Sequence, residues 1–241
     1  MLPESPFFAT YLDALKHSAL FAGLSDETLA TMLVDYRRET YPKGARLLPK
    51  QTMELFTVVI TGRLELTRTS PESGRQMTLF LMEPGDGFDV ISLLDGKEHD
   101  IDAVAVEALE VVTAPIGRVR HWMQANPDFN RGFLPYLGHR IRDLENLSAD
   151  LVLSETVARL ARLILLQATP EPLPIGSHEP PRLPLINTLS DEAMARMIGS
   201  VRVVVNRHIQ DFKRLGLISK RHGKLIVTDL EKLHEFCERL P

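Results

Sequence analysis

The stretch from Leu189 to Val227 constrains the fold of this chain most, because it combines two helical patterns, a tight turn and a hairpin. It reads LSDEAMARMIGSVRVVVNRHIQDFKRLGLISKRHGKLIV. Two short helical patterns flank the Gly199-Ser200 step, and a Gly-containing hairpin follows the second of them. This order predicts a helix-turn-helix followed by a β-wing.

Basic residues are concentrated in this stretch, although the chain as a whole is acidic. Between Arg196 and Lys224 there are eight basic residues and a single acidic one, Asp211. The segment therefore has a net charge of about +7, whereas the 241-residue chain has a net charge of −4. One basic module in an otherwise acidic chain is typical of a protein that meets phosphate at one place.

Several classes of protein are excluded by the rest of the composition. No apolar run reaches the roughly 18 residues of a membrane helix, and the first residues lack the basic segment and apolar core of a secretory signal. The single cysteine, Cys237, excludes an intramolecular disulfide and a multi-cysteine zinc or iron–sulfur site. No His-carboxylate metal spacing, Gly-rich phosphate loop or nucleophile elbow supports an enzyme. We expect a cytoplasmic non-enzyme without a metal site or a membrane partner.

Short β-branched runs separated by Gly-bearing turns occupy the chain from about Tyr41 to Ala114. They predict a sandwich, barrel or jelly roll. A helical pattern precedes them over residues 11–34, with Ser25 as a plausible N-cap. The predicted strands are Arg46–Leu48, Phe56–Ile60, Arg63–Thr69, Gln76–Met82, Phe88–Leu93, Ile101–Val106 and Leu109–Ala114.

A long helix is predicted after the β-region. A short helix over Gly117–Ala125 is followed by Asn126-Pro127, which predicts an N-cap and a first-turn proline. Pro135 should kink the long helix or mark the start of its straight part. The segment beyond shows the alternating three-four spacing of a coiled-coil seam, and its members are Leu134, Leu137, Ile141, Leu144, Ser148 and Leu151. We predict a homodimer through Leu137, Ile141, Leu144 and Leu151; the alternative is a stripe that packs on the protein's own core.

Three domains follow from this order. Ser154 is positioned to cap a helix over Glu155–Gln167, and the six prolines of Thr169–Leu189 predict an extended linker or a hairpin rather than a helix. The predicted domains are a sensor-like β-domain over residues 1–125, a dimerisation helix over 126–153 and a DNA-reading domain over 154–241.

The order of these parts resembles the superfamily of the bacterial cyclic-AMP receptor protein and Fnr. The resemblance spans essentially the whole chain and is carried by the seam helix and six short motifs. They are Lys43-Gly44, Thr61-Gly62, Pro84-Gly85-Asp86, Asn126-Pro127, Met197-Ile198-Gly199 and Leu217-Ile218-Ser219. The resemblance implies an α+β fold with an N-terminal double-stranded β-roll (a cupin-like jelly roll), a long dimerisation helix and a C-terminal winged helix-turn-helix. It also implies a homodimeric transcription regulator that binds a palindromic site in double-stranded DNA and contacts RNA polymerase.

The cassette that binds cyclic nucleotides in this superfamily is altered here. The glutamate position is filled by Val90, and the Arg-Ser position falls at Asp100-Ile101. A cyclic phosphodiester needs a charge-assisted donor, and Lys97 is the only candidate in a segment of five carboxylates. We therefore reject cyclic AMP and cyclic GMP as the effector.

Haem remains the possible cofactor. The cysteines that hold the iron–sulfur cluster of Fnr-type sensors are missing from the N-terminal region. Some superfamily members that lack both devices respond to nitric oxide, often through haem, which needs an axial ligand such as histidine. The candidates are His17, His99, His121 and His139. His17 is preferred, because it precedes an apolar pair where the N-terminal helix should pack on the β-domain.

By resemblance, the recognition helix begins near Ser200 and runs through Arg214. Arg202 and Arg207 are suited to guanine or phosphate, and Asn206 to adenine or phosphate. Most superfamily members have a glutamate at the position of Val203, so the preferred half-site should differ at that base pair. The predicted DNA-binding residues are Ser200, Arg202, Val203, Asn206, Arg207, Lys220 and Arg221.

The leading interpretation is a sequence-specific, homodimeric transcription regulator that responds to a signal other than a cyclic nucleotide. Two alternatives stay open: an effector-independent architectural DNA binder, and a haem-dependent sensor of nitric oxide or redox state.

Overall fold

The computed structural model describes residues 1, 3–47, 54–168 and 183–239. The chain forms two compact units, Met1–Leu144 and Glu145–Pro241. This division falls inside the long helix, whereas the sequence predicted boundaries after residues 125 and 153; those domain limits stay a prediction. None of the helices formed by the described residues is both long and apolar enough to cross a membrane.

Two four-stranded antiparallel sheets form the N-terminal unit. Their strand orders are β1-β8-β3-β6 and β2-β7-β4-β5. The strands are β1 (Arg37–Tyr41), β2 (Arg46–Leu47), β3 (Leu55–Thr61), β4 (Leu64–Thr69), β5 (Gln76–Met82), β6 (Gly87–Phe88), β7 (Asp102–Ala105) and β8 (Leu109–Pro115). The predicted α+β fold with an N-terminal β-roll is confirmed, and Leu48, the last residue of one predicted strand, lies outside the described residues.

The central strands β3 and β8 are buried on both faces because their side chains alternate between two cores. Val59 and Val111 pack in the cluster shared with the second sheet. Val58 and Val112 point the other way, into the cluster formed with the helices. Since successive side chains of a strand point to opposite faces, an unbroken apolar run such as Val58–Ile60 fits a strand covered on both sides.

Helices cover the first sheet. The N-terminal unit contains α1 (Phe8–His17), α2 (Asp26–Val34), α3 (Val90–Asp95), α4 (Ile116–Ala125) and the first part of α5 (Phe129–Leu153). The helical region predicted over 11–34 is divided by a 3₁₀ turn at Ala19–Phe21 and by Gly23, whose φ is +94°. The predicted cap is confirmed, because Ser25 accepts a hydrogen bond from the backbone N–H of Thr28 at 3.2 Å.

The predicted strand over Phe88–Leu93 is wrong. Strand β6 ends at Phe88, and α3 begins at Val90. Asp89 lies between them in the left-handed region at φ 64°, a conformation that Asp tolerates better than most residues. Short apolar runs do not distinguish a strand from a buried helix by periodicity, and here the left-handed step decides for the helix.

The long helix α5 begins at Phe129 and continues through Pro135 as one α-helix of 25 residues. The expected N-cap role of Asn126 is wrong, because its side-chain amide donates instead to Trp122 O, at the end of α4. Phe129, Phe133 and Tyr136 are buried in the core of the N-terminal unit. This apolar first third therefore anchors α5 to the β-roll.

The C-terminal unit is a winged helix-turn-helix, as predicted. Leu160, Ile164, Val205 and Phe212 are at the centre of its core. Its elements are α6 (Thr156–Gln167), α7 (Pro184–Thr188), α8 (Asp191–Met197), α9 (Arg202–Arg214), β9 (Ile218–Arg221), β10 (Lys224–Val227) and α10 (Leu230–Arg239).

Two local predictions about the start of this unit are corrected. Ser154 does not cap α6; its hydroxyl donates to Asp150 at 3.2 Å, and the N-cap position belongs to Glu155. Most of the predicted proline-rich linker, residues 169–182, lies outside the described residues. Its last part is helical rather than extended, because Pro184 occupies the first turn of α7, where a missing N–H costs nothing.

Candidate DNA interface and effector cavity

The helix-turn-helix is built from α8, a four-residue turn and α9. Ser190 caps α8 by accepting from the N–H of Ala193 at 3.1 Å, and Asp191 in the first turn complements the helix dipole. Gly199 makes the turn possible, because its φ of +60° lies in the left-handed region. The sharp turn fixes where α9 begins, at Arg202.

One face of α9 is exposed and carries the predicted DNA-binding side chains. Arg202, Val203, Asn206 and Arg207 are all exposed, and Val203 is 78% exposed although it is apolar. Ser200 lies half-exposed in the turn before the helix rather than within it. The opposite face, with Val205, His208, Ile209 and Phe212, is buried. The structure therefore brings five predicted residues together on the outward side of α9 and its preceding turn.

A buried histidine on the inner face of α9 contacts α6. His208 Nε2 lies 3.2 Å from Thr156 Oγ1 of α6. Burial, together with the positive charge of Arg207, lowers the pKa of His208. A neutral imidazole can hydrogen-bond to the hydroxyl without placing an unpaired charge in the core.

The wing is a two-residue hairpin. Strands β9 and β10 pair with Arg221 opposite Lys224. The two turn residues, His222 and Gly223, have φ of +50° and +82°, as a type I′ turn requires. Lys220 and Arg221 are exposed on this hairpin, so the remaining two predicted DNA-binding residues are available to phosphate.

Arg159 joins the end of α5 to the helix-turn-helix within the C-terminal unit. Its Nη1 donates to the carbonyls of Asp150, Leu151 and Ser154 at 3.0, 3.2 and 2.8 Å. Its Nε donates to the carbonyl of Ile198, in the turn, at 2.8 Å. One guanidinium thus contacts successive carbonyls at the end of α5, where the last carbonyls of a helix lack some of their helical partners.

A cavity of about 260 Å³ opens in the N-terminal unit between the second sheet, α3 and α5. The sheet contributes Leu66, Phe80 and Met82 to its wall. Helix α3 contributes Ile91 and Leu94, which are 48% and 52% exposed. The lining is therefore mainly apolar, as in most small-molecule sites.

Helix α5 supplies the other side of the cavity. Leu137, Ile141 and Leu144 line it, and all three belong to the predicted dimer seam. Leu137 is partly buried against the core, whereas Ile141 is 59% exposed and Leu144 38% exposed. Leu151, the fourth predicted seam residue, lies in the other unit, where its side chain is beside Gly199.

Arg140 is a cavity residue that the seam pattern does not mark. Its Nη2 forms an ion pair with Asp86 Oδ2 at 2.6 Å, and its Nε donates to Tyr136 Oη at 3.1 Å. The guanidinium also lies over the rings of Phe80 and Tyr136, at 5.3 and 5.2 Å from their centroids. Burial of Tyr136, next to the charge of Asp86, raises the pKa of its phenol. The i, i+4 spacing of Tyr136 and Arg140 is the sequence signal that marks this pair.

Asp89 and His99 also belong to the cavity lining and lie next to each other. The Asp89 side chain is fully buried, and its Oδ1 accepts from Ser92 Oγ at 2.7 Å. Among the described residues, nothing donates a hydrogen bond to Asp89 Oδ2. His99 Nδ1 lies 3.4 Å from Asp89 Oδ1, close enough for an ion pair if the ring is protonated, but it makes no hydrogen bond within the described chain.

Only one of the altered cassette positions lines this cavity. Val90 lines the cavity at the glutamate position, but Asp100, Ile101 and Lys97 are not part of its lining. Arg140 is the one cation other than the histidine that the described lining contains, and Asp86 already balances it. A phosphodiester would find no uncommitted charge-assisted donor here.

The residues of the cavity do not fit haem. The preferred candidate, His17, lies at the end of α1 with a side chain 77% exposed, and its Nδ1 contacts the carbonyl of Asp13. His121 and His139 are also exposed, so of the four candidates only His99 lines the cavity. A porphyrin needs more room than a cavity of about 260 Å³ offers. Over residues 1, 3–47, 54–168 and 183–239, no three His, Cys, Asp or Glu side chains are arranged to hold a metal ion.

Comparison with protein families matches both units of the chain. Residues 38–126 match the model of the cyclic nucleotide-binding domain, and residues 158–236 match the Crp-like helix-turn-helix domain. The two matches have the same order as the two units of the fold.

Comparison with individual proteins gives the same answer. A CRP-like cAMP-activated global transcriptional regulator of Mycobacterium tuberculosis is 24% identical over 92% of this chain and 97% of its own length. A global nitrogen regulator of Synechocystis is 27% identical over 87% of this chain and 90% of its own length. Among solved structures, the c-di-GMP responsive global regulator CLP of Xanthomonas campestris has a TM-score of 0.71, with 17% identity over 85% of this chain and all of the solved chain, and shows the same fold.

Proposed function

We propose that this chain, which belongs to the Crp/Fnr superfamily of DNA-binding transcription regulators, is a homodimer that reads a palindromic DNA site. Its activity would be controlled by a ligand in the β-roll cavity. The observation that carries the DNA-reading part is the outward face of α9. Arg202, Asn206 and Arg207 are exposed together there, and the fold holds them on a helix whose opposite face is core.

The recognition helix would enter the major groove with its first turns. Arg202 and Arg207 are each able to donate two hydrogen bonds to guanine O6 and N7, and Asn206 is able to pair with adenine. Arg202 Nε lies 4.0 Å from Asp191 Oδ2, at the limit of an ion pair, so guanine or phosphate would readily replace that contact. Lys220 and Arg221 on the wing would hold the DNA backbone and set the orientation of the helix.

Val203 distinguishes this chain from most relatives on the resemblance described above. Its exposed apolar side chain can contact a thymine methyl group but cannot accept from cytosine N4. The preferred half-site would therefore differ from the usual one at the base pair that Val203 faces.

A second copy of the chain would cover the seam of α5. Leu134, Ile141 and Leu144 are 60%, 59% and 38% exposed on one stripe of the helix. An exposed apolar stripe at coiled-coil spacing is stable in water when a second helix packs on it. Leu137 packs partly on the protein's own core, as the alternative interpretation expects. The interface between the two copies would therefore centre on Ile141 and Leu144.

The signal would be something other than a cyclic nucleotide. The cavity is lined by α3 and α5, and a ligand there would touch the same helix that forms the seam. A regulator of this kind would act in the cytoplasm, on DNA and together with RNA polymerase.

Selection of binding sites from a random duplex library tests the proposal. The full chain should enrich an inverted repeat whose half-sites are about one helical turn apart, or about 34 Å, as two-fold symmetry demands. A protein in which Arg202 and Arg207 are both replaced by alanine is the matched variant, and it should enrich no motif. If the wild type retains duplex DNA but enriches no sequence, it behaves as an architectural DNA binder, and the proposal fails in that case as it does if no DNA is retained.

A further inference from the structure

The cavity of the β-roll has a mainly apolar lining that includes one buried carboxylate, and this combination restricts what it can bind. Asp89 supplies the carboxylate and His99 lies beside it, while the second sheet, α3 and α5 supply the apolar side chains. Its volume of about 260 Å³ is slightly below the roughly 300–1,000 Å³ of pockets for drug-sized ligands. A ligand of this cavity is therefore a small molecule.

An unsatisfied carboxylate oxygen points to a hydrogen-bond donor on the ligand. Asp89 is held in the left-handed conformation, and Ser92 satisfies Oδ1. Oδ2 is buried, and no donor from the described residues reaches it. A buried carboxylate oxygen without a partner is unfavourable in a protein interior, because the charge has lost its hydration. A donor brought by a ligand would remove that penalty.

The charges around the cavity exclude an anionic ligand. The positive charge of Arg140 is balanced by Asp86 at 2.6 Å and is further held by Tyr136. Asp89 adds a negative charge, which His99 can offset only when its ring is protonated. A carboxylate or phosphate would meet more negative than positive charge.

We propose that the β-roll cavity binds a small molecule with an apolar body and one hydrogen-bond-donating head group, either a hydroxyl or an ammonium, which donates to Asp89 Oδ2. The inference rests on the proposed function in one respect, because that function makes the cavity the effector site. The apolar body lies along Phe80 and Met82 on one side and along Ile141 and Leu144 on the other.

Three probes with similar bodies and different heads test the chemistry on the full chain. Phenethylamine carries an ammonium, phenethyl alcohol a hydroxyl and hydrocinnamate a carboxylate. Calorimetric titration should give dissociation constants on the order of 1 mM or below for the first two. Hydrocinnamate should bind at least about tenfold more weakly, since a charge-assisted hydrogen bond is replaced by repulsion.

Substitution of Asp89 separates the two kinds of donor. Asp89→Asn keeps an acceptor oxygen and tolerates the left-handed backbone. This variant should bind phenethylamine about tenfold more weakly, because the charge of the carboxylate is removed. Its affinity for phenethyl alcohol should fall by less. The matched control is Asp95→Asn, which removes an exposed carboxylate at the other end of α3 and should change neither affinity.

A measurement on the wild type guards against a variant that fails to fold. The imidazole NMR signals of His99, assigned by comparison with His99→Gln, should shift on addition of phenethylamine and stay in place with hydrocinnamate. The proposal is overturned if hydrocinnamate binds as well as the amine, if no probe binds, or if Asp89→Asn changes no affinity. Each of these results leaves the selected DNA motif intact, so a failure of the ligand chemistry is distinguishable from a failure of the proposed function.

Discussion

Leu151, near the end of α5, lies against Gly199 in the turn of the helix-turn-helix, and a Cβ added at Gly199 would overlap Leu151 Cδ2. The same leucine has the spacing of a coiled-coil seam, but its contact is with the turn of its own chain. Arg159 reinforces the junction by donating to the carbonyls of Leu151 and Ile198. The end of α5 and the start of the recognition helix are therefore one packed assembly.

Gly199→Ala should destabilise the protein more than an equivalent change elsewhere. Alanine at a positive φ costs about 1–2 kcal/mol by itself, and overlap with Leu151 should add about 1 kcal/mol. Gly216→Ala is the control, since φ is +72° and nothing lies within 4 Å of an added Cβ. Urea unfolding measures both, and combination with Leu151→Ala should remove the difference. Equal destabilisation in the two single variants would show that Leu151 yields freely.

Replacement of Ile141 and Leu144 by lysine should dissociate the dimer. The double variant places two charges from each chain in an apolar seam, where unpaired charge is strongly unfavourable. Sedimentation velocity should show a monomer. His139→Lys with Asn146→Lys adds similar charge on the opposite, exposed side of α5 and should leave the dimer intact. A stable dimer from the seam variant would move the interface elsewhere.

Arg207→Ala should reduce affinity for the selected site by about 1–3 kcal/mol and relax the preference at one base pair in each half-site. Lys220→Ala is the comparison, because an interaction with phosphate carries no sequence information. It should weaken binding to all sequences alike. The slope of log affinity against log salt concentration should fall in magnitude by about one for each phosphate that is no longer neutralised. Fluorescence anisotropy over a salt series, on the selected and scrambled duplexes, distinguishes the two effects. An Arg207 variant that behaves like the Lys220 variant would mean that Arg207 binds the DNA backbone.

Val203→Glu should shift the selected half-site toward cytosine at the facing position, because a carboxylate accepts from cytosine N4. The measurement is site selection with wild type and variant in parallel. Gln210→Glu adds the same charge at another exposed position further along α9 and should leave the motif unchanged. Identical motifs from all three proteins would mean that another face of α9 enters the groove.

Cyclic AMP and cyclic GMP should not bind specifically. The cation of the cavity lining, Arg140, is paired with Asp86, and the carboxylate of Asp89 would repel a negative phosphodiester in the cavity. Calorimetric titration of the full chain should show no affinity tighter than about 1 mM. A well-defined isotherm below that value would require Arg140 to leave Asp86.

The sequence predicted the elements that depend on periodicity and on single turn or cap residues. The helix-turn-helix, its wing and the cap at Ser25 depend on local signals: a glycine at a left-handed turn, a serine before a helix, and alternation along a strand. The seam is likewise visible as spacing, although spacing alone does not say whether Leu151 faces a second chain or its own turn.

The cavity could not be predicted, because it depends on partners distant in sequence. The sequence pattern places Asp89 in a strand, and only its left-handed backbone turns the following apolar run into α3. Arg140 lies off the seam, so the spacing does not mark it. Its side chain is held by an ion pair with Asp86, which lies more than fifty residues earlier in the sequence. The residues next to His17 in the sequence favour it as a haem ligand. In the folded chain His17 is exposed, and His99 lines the cavity instead.

Leu137, Ile141 and Leu144 belong both to the cavity wall and to the seam of α5. In the proposed dimer, a ligand that contacts them would change the free energy of subunit association, and thermodynamic linkage would require that association change ligand affinity by the same factor. The apparent affinity for the effector would then vary with the concentration of the protein itself. A cell that makes more of this regulator would thereby also change how sensitively each copy responds.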